Sequence, residues 1–320
     1  MKLNIILLVF MPFFFSCTPT SILLNRTRLI SFYFDKKISK MNDKYPEGTI
    51  HQRDVIKTKV EYAYGILMEK GDRLIDNDYS KGMIYYEKAN KLFLEAKQSS
   101  LNILSERYPN FNKWIKEDLK INFEARDTHD LYWLAASMAG AIQSSRGSNP
   151  YELINIPTIG KLLETAIFLD PSWGNGSLFS AMMSYSTIRP DLNGQEMKDT
   201  VDYYFKKSLE ISDSLDASVF VSYAELIHKP RQEKNDFEDK LKHAINMDLN
   251  KNKNLKLNNL ISINRAKWLL TRKEDYFCHK FHIDSNASAN QTNIETTTDN
   301  KRQHFDNQQS IKLSIGNEWD

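Results

Sequence analysis

Apolar residues in this chain recur at spacings of three and four, and no long stretch alternates apolar with polar. The pattern is plain in YYEKANKLFLEA (85–96), KLLETAIFL (161–169), DYYFKKSLEI (202–211) and DKLKHAINM (239–247). A period near 3.6 lays such residues along one face of a helix, whereas a strand with one buried face needs a period of two. Glycine and proline gather between these segments, at YPN (108–110), SSRGSNP (144–150), DPSWGNG (170–176), RPDLNG (189–194), HKP (228–230) and LNKNKN (249–254). Such residues end helices and turn the chain. The expectation is an all-α fold.

A finer pattern constrains how the helices pack. A small or apolar residue is followed four positions later by a large apolar one, and three after that by Ala or Ser. It occurs as Gly82/Tyr86/Ala89, Ile159/Leu163/Ala166, Val201/Phe205/Ser208 and Phe237/Leu241/Ala244, with separations of 77, 42 and 36 residues. These spacings put all three residues on one helix face, and the small third residue lets a neighbouring helix approach closely. The second helix of a tetratricopeptide hairpin makes the same demands. Four copies in order predict a degenerate tetratricopeptide-like stack of helical hairpins, an α-solenoid, over residues 50–277. A plain helical bundle is the alternative, since any amphipathic helix can match one copy.

The two ends differ from this body. Residues 1–16 carry one charge, Lys2, then the apolar run LNIILLVFMPFFF and Ser16, the layout of a secretory signal peptide too short to span a bilayer. Cutting before Cys17 would free its thiol and amine for acylation, and MPFFFSC resembles a bacterial lipobox. The other cysteine, Cys278, lies too far along the chain to suggest a disulfide framework. Residues 17–49 are expected to be a lipid-anchored N-terminal segment, with the protein tethered to a membrane. Residues 278–320, rich in Asn, Thr, Ser and Gln, read as a disordered polar tail. Of 43 basic residues the signal segment takes one, leaving 42 against 41 acidic ones. So balanced a chain has no global field to hold nucleic acid.

Phosphate-binding glycine loops, nucleophile elbows, HExxH and CxxC pairs are absent, and no catalytic set can be assembled; the chain reads as a non-enzyme without a cofactor. In DNDYSKGMIYYE (76–87) the acidic residues have calcium-loop spacing, but Lys81 stands where the loop needs glycine, so they read as helix caps. CHKFH (278–282) offers Cys278 and His282 to a metal without enough further ligands. No metal is expected. Two segments, LYWLAASMAGAIQ (131–143) and WGNGSLFSAMMSYS (173–186), are almost apolar all round. The first carries a small-residue stripe, Ala135, Ala136, Ala139 and Gly140, suited to close packing. Helices of this kind are central to a core or line an apolar cavity. Trp133, Met138, Trp173, Met182 and Tyr185 are the candidate ligand-lining residues, with core packing the competing role.

The succession LYWLAASMAGAI, IPTIGKLLETAIFLDPSWGNGSLFSAM, VDYYFKKSLEIS and FEDKLKHAINMD resembles the TatT family, the T-component lipoproteins of tripartite ATP-independent periplasmic (TRAP) transporters. The resemblance covers roughly residues 50–277. It implies a tetratricopeptide-like body, a possible homotrimer, a hydrophobic cleft or pore for a hydrophobic small molecule, docking on a periplasmic TRAP solute-binding protein, and Cys17 as lipid attachment point. It implies a periplasm-facing accessory role in uptake. An envelope scaffold holding protein partners through its helical repeats is the alternative.

Overall fold

A computed structural model describes residues 27–44, 49–117 and 119–277, and every described element is helical. The signal segment 1–16, Cys17, the pair Cys278 and His282, and the tail 278–320 lie outside the described residues. The chain opens with α1 (Thr27–Lys44) and α2 (Thr49–Tyr62), which runs through a π-helical turn (Ala63–Met68) into α3 (Glu69–Ile75). Then come the long α4 (Tyr79–Arg107) and the short α5 (Phe111–Lys116). Asp78 caps α4, accepting a hydrogen bond from the Lys81 backbone N–H at 3.0 Å, as expected for a short acidic side chain at that position.

The middle of the chain forms α6 (Thr128–Ser144), the single turn α7 (Pro150–Leu153), α8 (Ile156–Leu169) and α9 (Ser177–Ser186). It ends with α10 (Gly194–Ile211), α11 (Ala217–Tyr223) continued by a second π-helical turn (Ala224–His228), α12 (Lys234–Ile245), α13 (Lys256–Thr271) and α14 (Lys273–Tyr276). No described helix is long and apolar enough to cross a membrane.

The four sequence copies fall on α4, α8, α10 and α12, and all their residues are buried. Each of these helices packs against the one before it in its pair: α4 on α2 and α3, α8 on α6, α10 on α9, α12 on α11. Pairs then join through shared cores. The first core holds Val60, Phe93, Ala96 and Ala141; the second Leu104, Leu134, Leu163 and Met182; the third Met183, Phe220, Leu241 and Ala266. Helices α4 and α6 supply the first and second, and α9 the second and third, so each core locks the next. Gly140 sets the closest approach: a Cβ there would lie 2.3 Å from Cε1 of Phe93, so only hydrogen fits beneath the ring.

The order of helices returns to its start by a different kind of contact. Arg265 on α13 pairs with Glu69 of α3 at 2.7 Å, with Glu225 at 2.6 Å, and with Asp72 of α3. Arg272 reaches Asp76 at 3.1 Å, and Arg73 donates to the Asn264 carbonyl at 3.4 Å. Trp268 lies among Arg73, Arg265 and Arg272, whose guanidinium carbons stand 5.2, 5.1 and 6.0 Å from its ring centre. None of the three cores joins α2–α4 to α11–α13. This seam is therefore largely ionic, with Ile261 of α13 lying over Gly65 as an apolar contact across it.

Replacing Arg265 by Ala leaves Glu69, Asp72 and Glu225 facing one another without their shared cation. The expected loss is about 2–4 kcal/mol, because Glu225 is left without a cation and Glu69 and Asp72 keep only Arg73 and the Tyr86 hydroxyl. Amide exchange should accelerate in α13 and α3 while α6 and α8 keep their protection. Uniform acceleration, or none, would show that the seam does not hold these helices together.

Candidate functional site

The start of α6 is fixed before its aromatic face can be. A 3-10 turn (Ala125–Asp127) leads into it, and Asp127 closes a capping box by accepting from the Glu124 backbone N–H at 2.8 Å. Asp127 and Asp130 are both buried. Arg53 of α2 grips Asp130 through two nitrogens, at 2.7 and 2.5 Å, and Arg107 of α4 bridges Asp127 and Asp130, reaching the latter at 3.0 Å. Tyr108 donates to Asp127. Burial alone would raise the Asp130 pKa, but hydrogen bonds from His129 and Arg53 and the two guanidinium charges hold it down at about 2. One ionic knot thus joins α2, α4 and α6.

With α6 so fixed, residues at i, i+3, i+4 and i+7 share a face: His129, Tyr132, Trp133 and Ala136. Trp173 reaches this face from the turn before α9. There Gly174, Asn175 and Gly176 all have positive φ, and at Gly176 (φ 91) a Cβ would sit 2.7 Å from the Ser208 carbonyl oxygen, so glycine is required. Ring centres lie 4.7 Å apart for Tyr132 and Trp173, 5.1 Å for Tyr132 and Trp133, 5.9 Å for His129 and Trp173, and 6.2 Å for His129 and Trp133. Tyr64, from the first π-helical turn, donates to the Ala136 carbonyl at 3.1 Å.

The electrostatics mark this face as enclosed. Burial pushes the Tyr132 hydroxyl up to about 12, with smaller contributions from the carboxyls of Asp216 at the start of α11 and Glu61 on α2. Glu61 keeps 44% of its side-chain surface, yet desolvation raises its pKa against the pull of Lys57 and Lys37. Tyr132, Trp133, Ala136 and Ala139 remain partly exposed along α6. The indole N–H of Trp133 is shielded from solvent and has no hydrogen-bond partner.

Of the five residues singled out in the sequence, Trp133 and Trp173 meet in this aromatic cluster. Met138, Met182 and Tyr185 lie buried in the second core, with Tyr185 over Gly160 on α8. His129 and Tyr132 were missed, although the spacing in HDLYW carries them; the Arg53–Asp130–Arg107 knot joins segments no local pattern connects. Among the described residues, His228, Glu233 and Asp236 are grouped closely enough to share a cation, but Arg231 already pairs with Glu233 at 2.9 Å. The four rings of the aromatic cluster together form a partly exposed, largely apolar surface on α6 and the turn before α9.

The TRAP transporter T-component family matches residues 44–277. The chain belongs to the TRAP transporter T-component family. Membership associates this T component with the TRAP transport system, and the family is one of transport accessory proteins. A curated protein of Treponema pallidum (strain Nichols), named there an uncharacterized protein, is 22% identical over 226 residues, spanning 68% of this chain and 69% of that one.

The Asp130 knot supplies a test in pH. Because its folded pKa of about 2 lies below the ordinary 3.8, ionised Asp130 stabilises the T component at neutral pH, and that stabilisation is lost as pH falls from about 4 toward 2. Asp130→Asn should lower stability by about 2–3 kcal/mol at pH 7, since Arg53 and Arg107 lose a buried partner. Denaturant midpoints of the two proteins should draw together as pH falls below about 4 and meet near pH 2. A gap that is constant with pH would mean that Asp130 acts through shape and not charge.

Proposed function

We propose that this T component is a periplasm-facing lipoprotein, anchored through Cys17. It holds a hydrophobic or amphipathic small molecule against the Trp133–Trp173 cluster and passes it to a periplasmic TRAP solute-binding protein. The observation that carries the reading is the buried, unpartnered indole N–H of Trp133 beside partly exposed aromatic rings. An unsatisfied buried donor costs about 1–3 kcal/mol, and a ligand with an acceptor oxygen and an apolar body recovers it while covering the rings. Met138, Met182 and Tyr185 back the site from the core behind α6. Assembly as a homotrimer belongs to the same reading.

The experiment is affinity capture of the lipidated protein from its own envelope, with copurifying proteins and extracted small molecules identified by mass spectrometry. The reading expects a solute-binding protein and an apolar or amphipathic molecule. Trp133→Ala should remove the small molecule and keep the solute-binding protein, with a melting temperature lowered by a few degrees because the ring also packs against the first core. A melting temperature lowered by much more, with the small molecule retained, assigns Trp133 to packing. Recovery of other envelope proteins with neither ligand nor solute-binding protein overturns the transport role in favour of a scaffold.

A further inference from the structure

Helix α1 is packed on one side only. Phe34 and Ile38, four apart, lie against the first core, with Phe34 stacked on Tyr62 at 4.9 Å between ring centres. The opposite stripe, offset by two residues, is expected to be polar on a helix bordered only by water. Instead Phe32 and Tyr33 stand 64% and 53% exposed, and exposed Lys36 and Lys40 follow Phe32 at i+4 and i+8. The Lys36 ammonium sits 5.7 Å from the Phe32 ring centre, so aromatic and cationic groups form one surface.

The charge is as uneven as the polarity. The α1 sequence TRLISFYFDKKISKMNDK holds five basic and two acidic residues, a balance of +3, whereas the whole chain has +2. The remaining residues therefore sum to −1; α13 has the same +3, but its Arg265 is taken up by Glu69, Asp72 and Glu225, whereas Lys36 and Lys40 of α1 stand exposed. Exposed aromatic rings interleaved with lysine on one helical stripe suit the boundary between headgroups and acyl chains of an anionic membrane.

We propose that the outer stripe of α1, centred on Phe32, Tyr33, Lys36 and Lys40, is a docking surface for anionic phospholipid. The proposal rests on the reading of Cys17 as anchor in one respect only. Nine residues lie between Cys17 and Thr27, a reach of about 35 Å at full extension, so an anchored chain keeps α1 within that distance of the bilayer. The contact between helix and lipid is a separate claim. It has a consequence for the aromatic site: Lys37 on α1 lies close enough to Glu61 to lower its pKa, and Glu61 acts in turn on Tyr132. The docked helix would thus stand beside the aromatic face, and an apolar molecule could pass between bilayer and site with little exposure to water.

The test uses the full mature chain carrying Cys17→Ala, so that no acyl chain contributes, sedimented with vesicles of phosphatidylcholine alone or containing about one quarter phosphatidylglycerol. Binding is expected to the anionic vesicles, weakened at high salt. The pair Lys36→Gln and Lys40→Gln should weaken it about thirtyfold, at about a tenfold factor per 1.4 kcal/mol and about 1 kcal/mol per lysine. Phe32→Ser with Tyr33→Ser should also weaken it, with an unchanged melting temperature, whereas Tyr151→Ser, 80% exposed on α7, should have no effect. Absence of binding, equal binding to both vesicles, or insensitivity to the α1 substitutions overturns the proposal. If the same variants instead lose the solute-binding protein in envelope capture while vesicle binding is unchanged, the stripe is a protein surface and the proposal falls. Failure of the transport reading shows in capture alone and leaves the vesicle result standing.

Discussion

Asp130 retains 2% of its side-chain exposure and is held by two arginines from two other helices, and the placement of α6 depends on that contact. An ionised carboxylate out of water is tolerated only when its charge is met by close, well-directed partners. Arg53 meets it in a two-pronged contact and Arg107 shares itself between Asp130 and Asp127, so neither carboxylate can move without stranding a charge. Apolar packing alone would leave α6 freer to rotate or slide, because Leu, Ala and Met fit several registers at little loss. The knot selects one of them. It is the one that turns His129, Tyr132 and Trp133 toward Trp173 and lays Gly140 under Phe93.

The Arg265 seam uses similar chemistry in a different setting. The Asp130 knot sits within the stretch where the first and second cores interlock, and it specifies a packing that burial already stabilises. The seam joins α13 to α3 where none of the three cores spans the gap, so charge carries most of it, with Ile261 of α13 packed over Gly65 beside the ion pairs. Ion pairs between partly exposed groups weaken with salt and with acid far more than apolar burial does. Arg265 and its three partners are 18–26% exposed at the side chain, intermediate between a surface pair and the knot. Both π-helical turns abut this joint, one running directly into Glu69 and the other containing Glu225. Such turns widen a helix locally and are frequent at functional sites. The molecule therefore combines a continuous chain of cores with one joint of lower stability.

Much of the fold was legible because helix-on-helix packing is written in local spacing. Gly82/Tyr86/Ala89 and its three counterparts name the buried face of a helix from eight residues each, and all four faces are buried. The small stripe around Gly140 likewise pointed to close packing. The site was harder to read. Met138 and Trp133 look equivalent in an almost wholly apolar helix, and what separates them is which neighbour each meets: the core behind α6 for Met138, the aromatic face for Trp133. That distinction depends on the rotation of α6, set by Arg53 and Arg107, which lie 77 and 23 residues from Asp130 in sequence. Trp173 depends on three successive positive-φ residues, of which the sequence shows the two glycines but not where the turn aims the ring. Arg265 and Glu69, 196 residues apart, share no pattern at all.

The Trp133 indole separates two roles that burial by itself would confuse. Tryptophan in a finished core finds an acceptor for its N–H, since leaving one unmet forfeits about 1–3 kcal/mol. The Trp133 ring instead stacks edge-on against Tyr132 and stands near His129, with part of its surface uncovered. The donor thus stands without an internal partner where burial also raises the Tyr132 hydroxyl. Under the proposed reading, a molecule that brings its own acceptor would meet this N–H and cover the partly exposed rings.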